Sequence, residues 1–385
     1  MPDRSDSIRS ASTSVAVASA GLCALAVAMG IGRFAFTPIL PMMLHDAGLT
    51  LTGGSLLASA NYIGYLIGAL MATLVRVTPS TAIRGGLLAI ALTTLAMASS
   101  LPLPLWMALR LLAGVASAWV LISVSSWSLG ALARFQMPWL GNLVFAGVGL
   151  GIASAGVLCL LLTAWGGSAA EAWLALGGLS LLAGLLTWNR FALPTVAAND
   201  SMQAPPPGLD AAAWRMILCY GVYGFGYIIP ATYLPLMAKQ ALPNPALFGW
   251  SWPLFGLAAA FSTVGAAPLL RRFGARAVWM GCHFLMALGV ALPVFAPGLA
   301  GIFLAAVLVG GTFIVVTVCA VQDARRVAGP AATRLIAAMT AAFAVGQIAG
   351  PLCAAYVLDT DGGFSHSLLA AGALLLASGV ALRRT

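Results

Sequence analysis

The chain has 385 residues, of which 61% are hydrophobic and only 7% are charged. Soluble domains carry about 25% charged residues, so a water-soluble fold could not hide this much apolar surface and we expect an integral membrane protein. The formal net charge of +9 would suit an acidic partner such as nucleic acid, but the placement of the basic residues, described below, points to membrane topology instead.

Continuous apolar runs of about 20 residues, the length that crosses a bilayer as a helix, follow one another along the chain. They do not alternate with a period of two, as the strands of a membrane β-barrel do. We therefore predict an all-α integral membrane protein with twelve transmembrane helices. The predicted spans are 14–44, 51–75, 85–101, 103–131, 139–162, 171–188, 213–238, 246–270, 277–295, 299–321, 332–358 and 364–382.

The first span carries a stretch that does not suit a plain membrane anchor. Arg33 follows Gly30 and Gly32 and precedes Pro38 and Pro41. It lies about 16 Å from the outer end of the span, near the middle of a hydrocarbon core about 30 Å thick. A charge at that depth costs about 2.5–3.5 kcal/mol on insertion scales, so such a residue tends to face protein or water and to be functional.

The basic residues test the predicted topology. If residues 1–13 form a cytoplasmic tail and both termini are cytoplasmic, all but three of the 18 Lys and Arg residues fall on the cytoplasmic side. The exceptions are Arg33 and Arg110 within spans and Lys239 outside. This is the positive-inside pattern of a multi-pass membrane protein, and it removes the nucleic-acid interpretation.

A polar, proline-rich segment at 191–212 reads as a cytoplasmic linker. It separates six spans in 14–190 from six spans in 213–385, and we predict two pseudo-symmetric six-helix bundles.

The two halves echo one another in sequence. Gly30, Gly32 and Pro41 of span 1 match Gly224, Gly226 and Pro235 of span 7 at a constant offset. A weak internal repeat of this kind is typical of secondary transporters whose site lies between two bundles.

Three local motifs resemble those of the major facilitator superfamily. Residues 265–276 are similar to its loop 8–9 motif, although Arg271 stands where the superfamily has an aspartate. Arg110-x-x-x-Gly114 resembles its span-4 arginine motif, and the Gly-x-x-x-Gly-Pro of span 11 resembles a glycine–proline motif that is more usual in span 5. The matching positions are Arg272, Gly274, Arg276, Gly114, Gly346, Gly350 and Pro351, and Gly147 and Gly151 of span 5 repeat Gly346 and Gly350 of span 11.

More narrowly, residues 32–41, 58–69 and 346–351 are similar to the bacterial YbfB/YjiJ group of that superfamily. The resemblance implies a major facilitator fold, transport by alternating access, and residence in the bacterial inner (plasma) membrane. We expect a small-molecule substrate, a surrounding lipid bilayer, a chain that functions as a monomer, and no cofactor or metal ion.

Polar side chains within the spans are the candidate substrate-binding residues. A guanidinium binds carboxylate or phosphate with two hydrogen bonds, so Arg33 is the leading candidate for binding an anion. The alternative is that Arg33 caps backbone carbonyls that the prolines leave without a donor. A tyrosine stripe at i, i+3 and i+7 in span 7 either faces Arg33 across a cavity or stacks on it structurally. The full set is Arg33, Thr37, Asn61, Tyr65, Arg110, Tyr220, Tyr223, Tyr227 and Gln347.

No Asp or Glu lies deep in a predicted span. The candidates for proton coupling are therefore His283, Asp46 and Asp323, or the carboxylate of the substrate itself. The absence of a buried acid also argues against a pump for multivalent cationic drugs.

Two transport functions remain open from the sequence. The first is movement of a small organic anion or amphipathic metabolite, and the second is efflux of neutral or lipophilic compounds with Arg33 in a structural role. An intramembrane enzyme is disfavoured, because the sequence holds no HExxH motif and no nucleotide-binding Gly-Lys motif.

Overall fold

A computed structural model of the chain describes residues 4–75, 77–137, 139–192, 210–241, 245–329, 332–357 and 364–384, and all of their regular secondary structure is helical. The α-helices are α1 Arg4–Leu25, α2 Phe36–Asp46, α3 Leu51–Leu74, α4 Pro79–Ala96, α5 Leu103–Arg134, α6 Leu140–Ala164, α7 Ala169–Thr187, α8 Ala211–Ala241, α9 Pro245–Phe248, α10 Ser251–Phe295, α11 Leu299–Ala328, α12 Ala332–Val357 and α13 Phe364–Ala381. A π-helix at Ala26–Ile31 and 3₁₀ turns at Trp188–Ala192 and Leu382–Arg384 complete the elements.

Eleven helices within the described ranges are long and apolar enough to cross a membrane, against the twelve predicted. The difference lies in α10, whose 45 residues cover the predicted spans 246–270 and 277–295. Its backbone leaves the helical conformation at Gly274, where φ is 77° and ψ is 160°. Only glycine adopts that region readily. The element therefore consists of two helical arms that meet at Gly274.

The first predicted span is built in three pieces. The α-helix α1 loosens into the π-helix Ala26–Ile31, in which N–H groups bond five residues back: Gly32 N donates to the Val27 carbonyl at 2.8 Å. A turn follows, and α2 begins at Phe36 with prolines at its third and sixth positions. Proline has no N–H to donate, so this stretch cannot form a continuous α-helix.

Two helices begin several residues before the predicted spans, in polar sequence. Thr78 accepts a hydrogen bond from the N–H of Thr81 and Pro79 opens α4, so this helix begins six residues before the predicted span at 85. The helix α1 begins at Arg4, within the predicted tail. Most of the predicted linker 191–212 lies outside the described residues.

Helix pairs within each half of the chain repeat one another. A Cβ on Gly30 would overlap the backbone of Gly151 in α6, and a Cβ on Gly224 in α8 would overlap the backbone of Phe343 in α12. The π-helix thus approaches α6 as closely as α8 approaches α12, at two glycines that the sequence repeat relates.

In the described residues, the main helix contacts between the first half (4–192) and the second half (210–384) are α2 on α8, α3 on α12, and α6 on α10. At the last of these, a Cβ on Gly149 would overlap Ala260, and one on Gly256 would overlap Ala153, so glycines let the two backbones touch.

We refer to the two ends of the helix assembly by their residues. The α2–α3 end holds the turn at 47–50, where Asp46 also contacts Ala169. The terminal end holds the contact of Arg84 with Trp188 and the ion pair of Arg276 with Asp323.

Candidate functional site

Arg33 lies in the turn between the π-helix and α2 and is buried, with 2% of its surface exposed. Its Nη2 donates a hydrogen bond to Oε1 of Gln347 in α12, and Nε2 of Gln347 donates in turn to the hydroxyl of Tyr227 in α8. The guanidinium carbon lies 4.1 Å from the ring centre of Tyr65 and 5.3 Å from that of Tyr62. Arg33 therefore lies between two tyrosine rings of its own half and an amide of the second half.

The charge of Arg33 is not neutralised by the described part of the chain. Arg33 forms no ion pair with a carboxylate there, and its Nε is buried without a hydrogen-bond partner. A buried donor that lacks a partner costs about 1–3 kcal/mol, and more when the group is charged. Ring stacking returns about 2 kcal/mol when the cation is desolvated. The Arg33 guanidinium thus lacks one hydrogen-bond acceptor among the described residues, at Nε.

Arg110 in α5 has a different set of partners. Its Nη1 donates to the carbonyl of Gly32 at 3.2 Å, and its Nη2 donates to the carbonyl of Arg33 at 3.0 Å. The guanidinium also lies over the ring of Phe36. Backbone capping, the role considered for Arg33 from the sequence, is therefore performed by Arg110.

Two further polar residues hold the same turn. Asn61 donates from Nδ2 to the carbonyls of Gly32 and Arg110, while its Oδ1 has no partner within the described residues. The hydroxyl of Ser117 donates to the carbonyl of Ala28 at 2.7 Å. The sequence interpretation placed Asn61 among the ligand contacts, and the structure places it directly behind the backbone that carries Arg33.

The tyrosine stripe of α8 forms the wall beside Arg33. Tyr220, Tyr223 and Tyr227 stack along one face, with ring centres 5.2 Å and 5.1 Å apart. Tyr223 donates to the Phe313 carbonyl at 2.6 Å, and Tyr220 donates to the hydroxyl of Thr317 at 3.3 Å. Only Tyr227, at the end of the stripe, reaches the Arg33–Gln347 pair.

Sequence reasoning missed two phenylalanines that complete this wall. The ring of Tyr227 is nearly parallel to the rings of Phe313 and Phe343, with centres 5.7 Å apart in both cases. Phe343 precedes Gln347 by four residues on one face of α12, which was a usable signal. Nothing in the sequence singles out Phe313.

Thr37 joins the two halves rather than facing a cavity. In a regular helix the Ala231 carbonyl would accept from the N–H at position 235, but Pro235 has none. The Thr37 hydroxyl donates to that carbonyl instead, at 2.7 Å.

The three proton-coupling candidates lie apart from Arg33's contacts. His283 is fully buried, with Nδ1 3.2 Å from the Trp279 carbonyl. The Asp46 carboxylate accepts from the N–H of Ala169 at 2.7 Å, at the start of α7. Asp323 accepts from Arg276 at 2.8 Å and lies 3.0 Å from Arg326, at the terminal end.

The remaining motif residues serve the backbone and its contacts. Cβ atoms on Gly114, Gly147 or Gly346 would overlap neighbouring helix backbones, and one on Gly350 would overlap Ile228. The carbonyl of Pro351 accepts from Tyr233 at 3.3 Å. Arg272 lies over the ring of its neighbour Phe273.

The described residues hold no cluster of three His, Cys, Asp or Glu side chains that could bind a metal ion. Polar chemistry at the middle of the structure therefore centres on Arg33, Gln347 and the tyrosines.

A family model described as "uncharacterised MFS-type transporter YbfB" matches residues 25–383, nearly the whole chain. No curated protein matches the chain.

Proposed function

Because the chain belongs to the YbfB family of MFS-type transporters, we propose that it is a secondary active transporter that moves a small organic anion or amphipathic metabolite by alternating access. Membrane transport follows from the family and from the membrane-spanning helices.

One observation carries the choice of an anion: Arg33 is buried at the contact between the two halves without a carboxylate partner in the described residues. Carboxylate is the usual partner of a buried guanidinium, because its two oxygens match two parallel N–H groups. With no protein acid beside it, the negative partner that best fits Arg33 is the substrate.

The aromatic wall favours a substrate with an apolar or flat body. Tyr227, Phe313 and Phe343 present nearly parallel rings next to the hydrogen bond between Arg33 and Gln347. A ligand that holds its charge on Arg33 would lay its body against these faces.

Two features support a major facilitator arrangement with twelve crossings. Gly274 divides α10 into arms of span length, and the pairs α1–α6 and α8–α12 meet through equivalent glycines. Two six-helix bundles, in 14–190 and 213–385, with both termini in the cytoplasm of a bacterium, agree with these contacts and with the distribution of arginines.

Alternating access is supported by where the halves are hydrogen-bonded. The hydrogen bonds described between them run from Arg33 toward the α2–α3 end. They are Arg33–Gln347, Thr37–Ala231, Pro41–Lys239, Ser55–Tyr233, Ser59–Ile348 and Tyr62–Thr232. An arrangement joined at one end suits a protein whose halves rock about a central site.

For coupling, we favour a proton that travels with the substrate. Asp46 caps a helix, Asp323 holds two arginines, and His283 is fully buried beside the Trp279 carbonyl, so all three have structural partners. The substrate's own carboxyl group then remains as the proton carrier.

The test is transport by purified protein in proteoliposomes, with substrates chosen from a thermal-stabilisation screen of carboxylates paired with their neutral amides. We expect Arg33→Ala to reduce carboxylate transport by at least about tenfold, because a charge-assisted hydrogen bond contributes about 1.5–3 kcal/mol. Arg84→Ala is the matched control: Arg84 also bonds a carbonyl and stacks on a ring, but at the terminal end.

The same experiment decides the second candidate, efflux of neutral or lipophilic compounds. Its support is that Gln347 and two tyrosine rings already surround Arg33, as they would in a structural role. Near-normal transport by the Arg33→Ala protein, with competition from uncharged hydrophobic compounds and none from carboxylates, would establish this alternative and end the anion proposal.

A further inference from the structure

Gln347 accepts from one of the two nitrogens, Nε and Nη2, that form a two-donor edge on Arg33. The Nε–H and Nη2–H bonds of a guanidinium run parallel along one side of the group, and a carboxylate accepts from both. In the structure, Nη2 donates to Oε1 of Gln347 while Nε is buried and has no acceptor within the described residues. The single amide oxygen of Gln347 thus accepts from one of two neighbouring donors, whereas a carboxylate could accept from both.

Gln347 also belongs to the other half of the chain. Arg33 is fixed to the first half, because Arg110 and Asn61 hold the turn on which it lies. Gln347 is fully buried in α12 and is held from behind by Tyr227 of α8. The bond between Arg33 and Gln347 is therefore the innermost of the bonds that join the halves at the α2–α3 end.

We propose that Gln347 holds the place of the substrate's carboxylate, and that a carboxylate displaces it from Arg33 and thereby releases the innermost bond between the two halves. This inference rests on the proposed transport of an organic anion and adds the residue with which the anion competes. Gln347 is a positioning residue in this account: it keeps Arg33 aligned while the site is empty.

The displacement explains how binding and movement are linked. A carboxylate satisfies both donors of the edge, whereas the amide satisfies one, so the exchange is favourable at Arg33. The amide of Gln347 then loses its acceptor role, and α12 is no longer held to the α2 segment at this point. A neutral ligand offers no such exchange and leaves the halves bonded.

The first arm of the test needs no ligand. Gln347→Glu puts a carboxylate permanently on the Arg33 edge, and we expect it to raise the melting temperature of the full chain in detergent by at least about 3 °C. The gain should vanish in the Arg33→Gln background, which shows that it acts through Arg33. Gln322→Glu, which adds the same charge to an exposed site on α11, should give no such gain. Absence of an Arg33-dependent gain overturns the inference.

The second arm uses benzoate, with benzamide as its neutral counterpart, and follows thermal stabilisation. Wild-type protein should respond to benzoate and not to benzamide. Gln347→Leu removes the competitor, so its half-maximal benzoate concentration should fall by at least about threefold. Gln347→Glu should not respond, because its own carboxylate fills the edge.

The outcomes separate the two proposals. Equal half-maximal concentrations for wild-type and Gln347→Leu would mean that Gln347 does not compete, which overturns the inference while the anion site stands. A response to benzoate that survives Arg33→Gln would overturn the anion site itself. Stabilisation by Gln347→Glu without any benzoate response supports the preference of the edge for a carboxylate and counts against benzoate-like substrates.

Discussion

Two arginines lie at the same turn of the backbone and have opposite roles. Arg110 donates to the carbonyls of Gly32 and Arg33, so its charge is spread over main-chain acceptors of its own half. Arg33 donates to a side chain of the other half and keeps a buried Nε free of any acceptor in the described structure. The first arrangement stabilises the fold, whereas the second leaves a buried donor for which an anion could supply the acceptor. Both are arginines within predicted spans and both were candidate substrate-binding residues, so the sequence did not separate their roles.

This difference predicts unequal losses of stability when each charge is removed. Arg110→Leu leaves the buried carbonyl of Arg33 without its side-chain donor, at about 1–3 kcal/mol, and takes one of two donors from the Gly32 carbonyl, so it should lower the melting temperature by several degrees. Arg33→Ala removes a buried donor without a partner in the described chain together with the bond to Gln347, so it should lower the melting temperature by less.

Thermal unfolding of the purified variants in one detergent makes this comparison, with Arg325→Leu on the exposed surface of α11 as the control for loss of an arginine. A protein with Arg110→Leu that melts like wild type and yet no longer transports would instead assign Arg110 to the substrate.

At the level of helices, the interruptions were predictable where glycine or proline causes them. Gly30 and Gly32, with Pro38 and Pro41, mark the broken first span in the sequence, and the break is present between α1 and α2. Its form as a π-helix was not predictable, because it depends on donors from elsewhere in the chain. Ser117 accounts for one of them, and it is 89 residues from the carbonyl that it binds.

The junction inside α10 gives a prediction about backbone conformation alone. At Gly274 the φ of 77° and ψ of 160° strain any residue with a Cβ, although an added Cβ would meet no neighbouring atom. We expect Gly274→Ala to destabilise the protein by about 1–3 kcal/mol.

Gly281→Ala is the matched control, since Gly281 is helical, lies in the same element and has equally open surroundings. It should be neutral or stabilising by up to about 1 kcal/mol. Chemical or thermal unfolding of the two variants measures the contrast; equal stabilities would mean that α10 can straighten at position 274.

For the whole molecule, the sequence repeat related the two halves to each other but did not predict which helices meet. The repeated glycines lie at the close approaches of α1 to α6 and of α8 to α12, because small residues let backbones touch. The partner of Arg33 is 314 residues away, in another helix of the other half. Phe313 reaches the tyrosine wall only through the packing of α11 on α8. No periodicity along one helix encodes the rotation that brings these residues together.

The one-sided set of bonds between the halves predicts that fixing the α2–α3 end stops transport. The hydroxyls of Ser55 and Tyr233 are 2.6 Å apart and belong to different halves. In a protein with Cys23 and Cys353 replaced by alanine, Ser55→Cys with Tyr233→Cys can be bridged by a short, cleavable bifunctional thiol reagent. The bridge should abolish transport in proteoliposomes, because the halves can no longer separate at that end, and cleavage of the bridge should restore transport.

Ser99→Cys with Trp106→Cys is the matched pair: Trp106 donates to the Ser99 carbonyl at 3.1 Å, at the same end but within the first half. Bridging that pair should leave transport intact. Undiminished transport with the first bridge in place would mean that the substrate crosses without separation of α3 from α8, and alternating access by rocking of the halves would have to be abandoned.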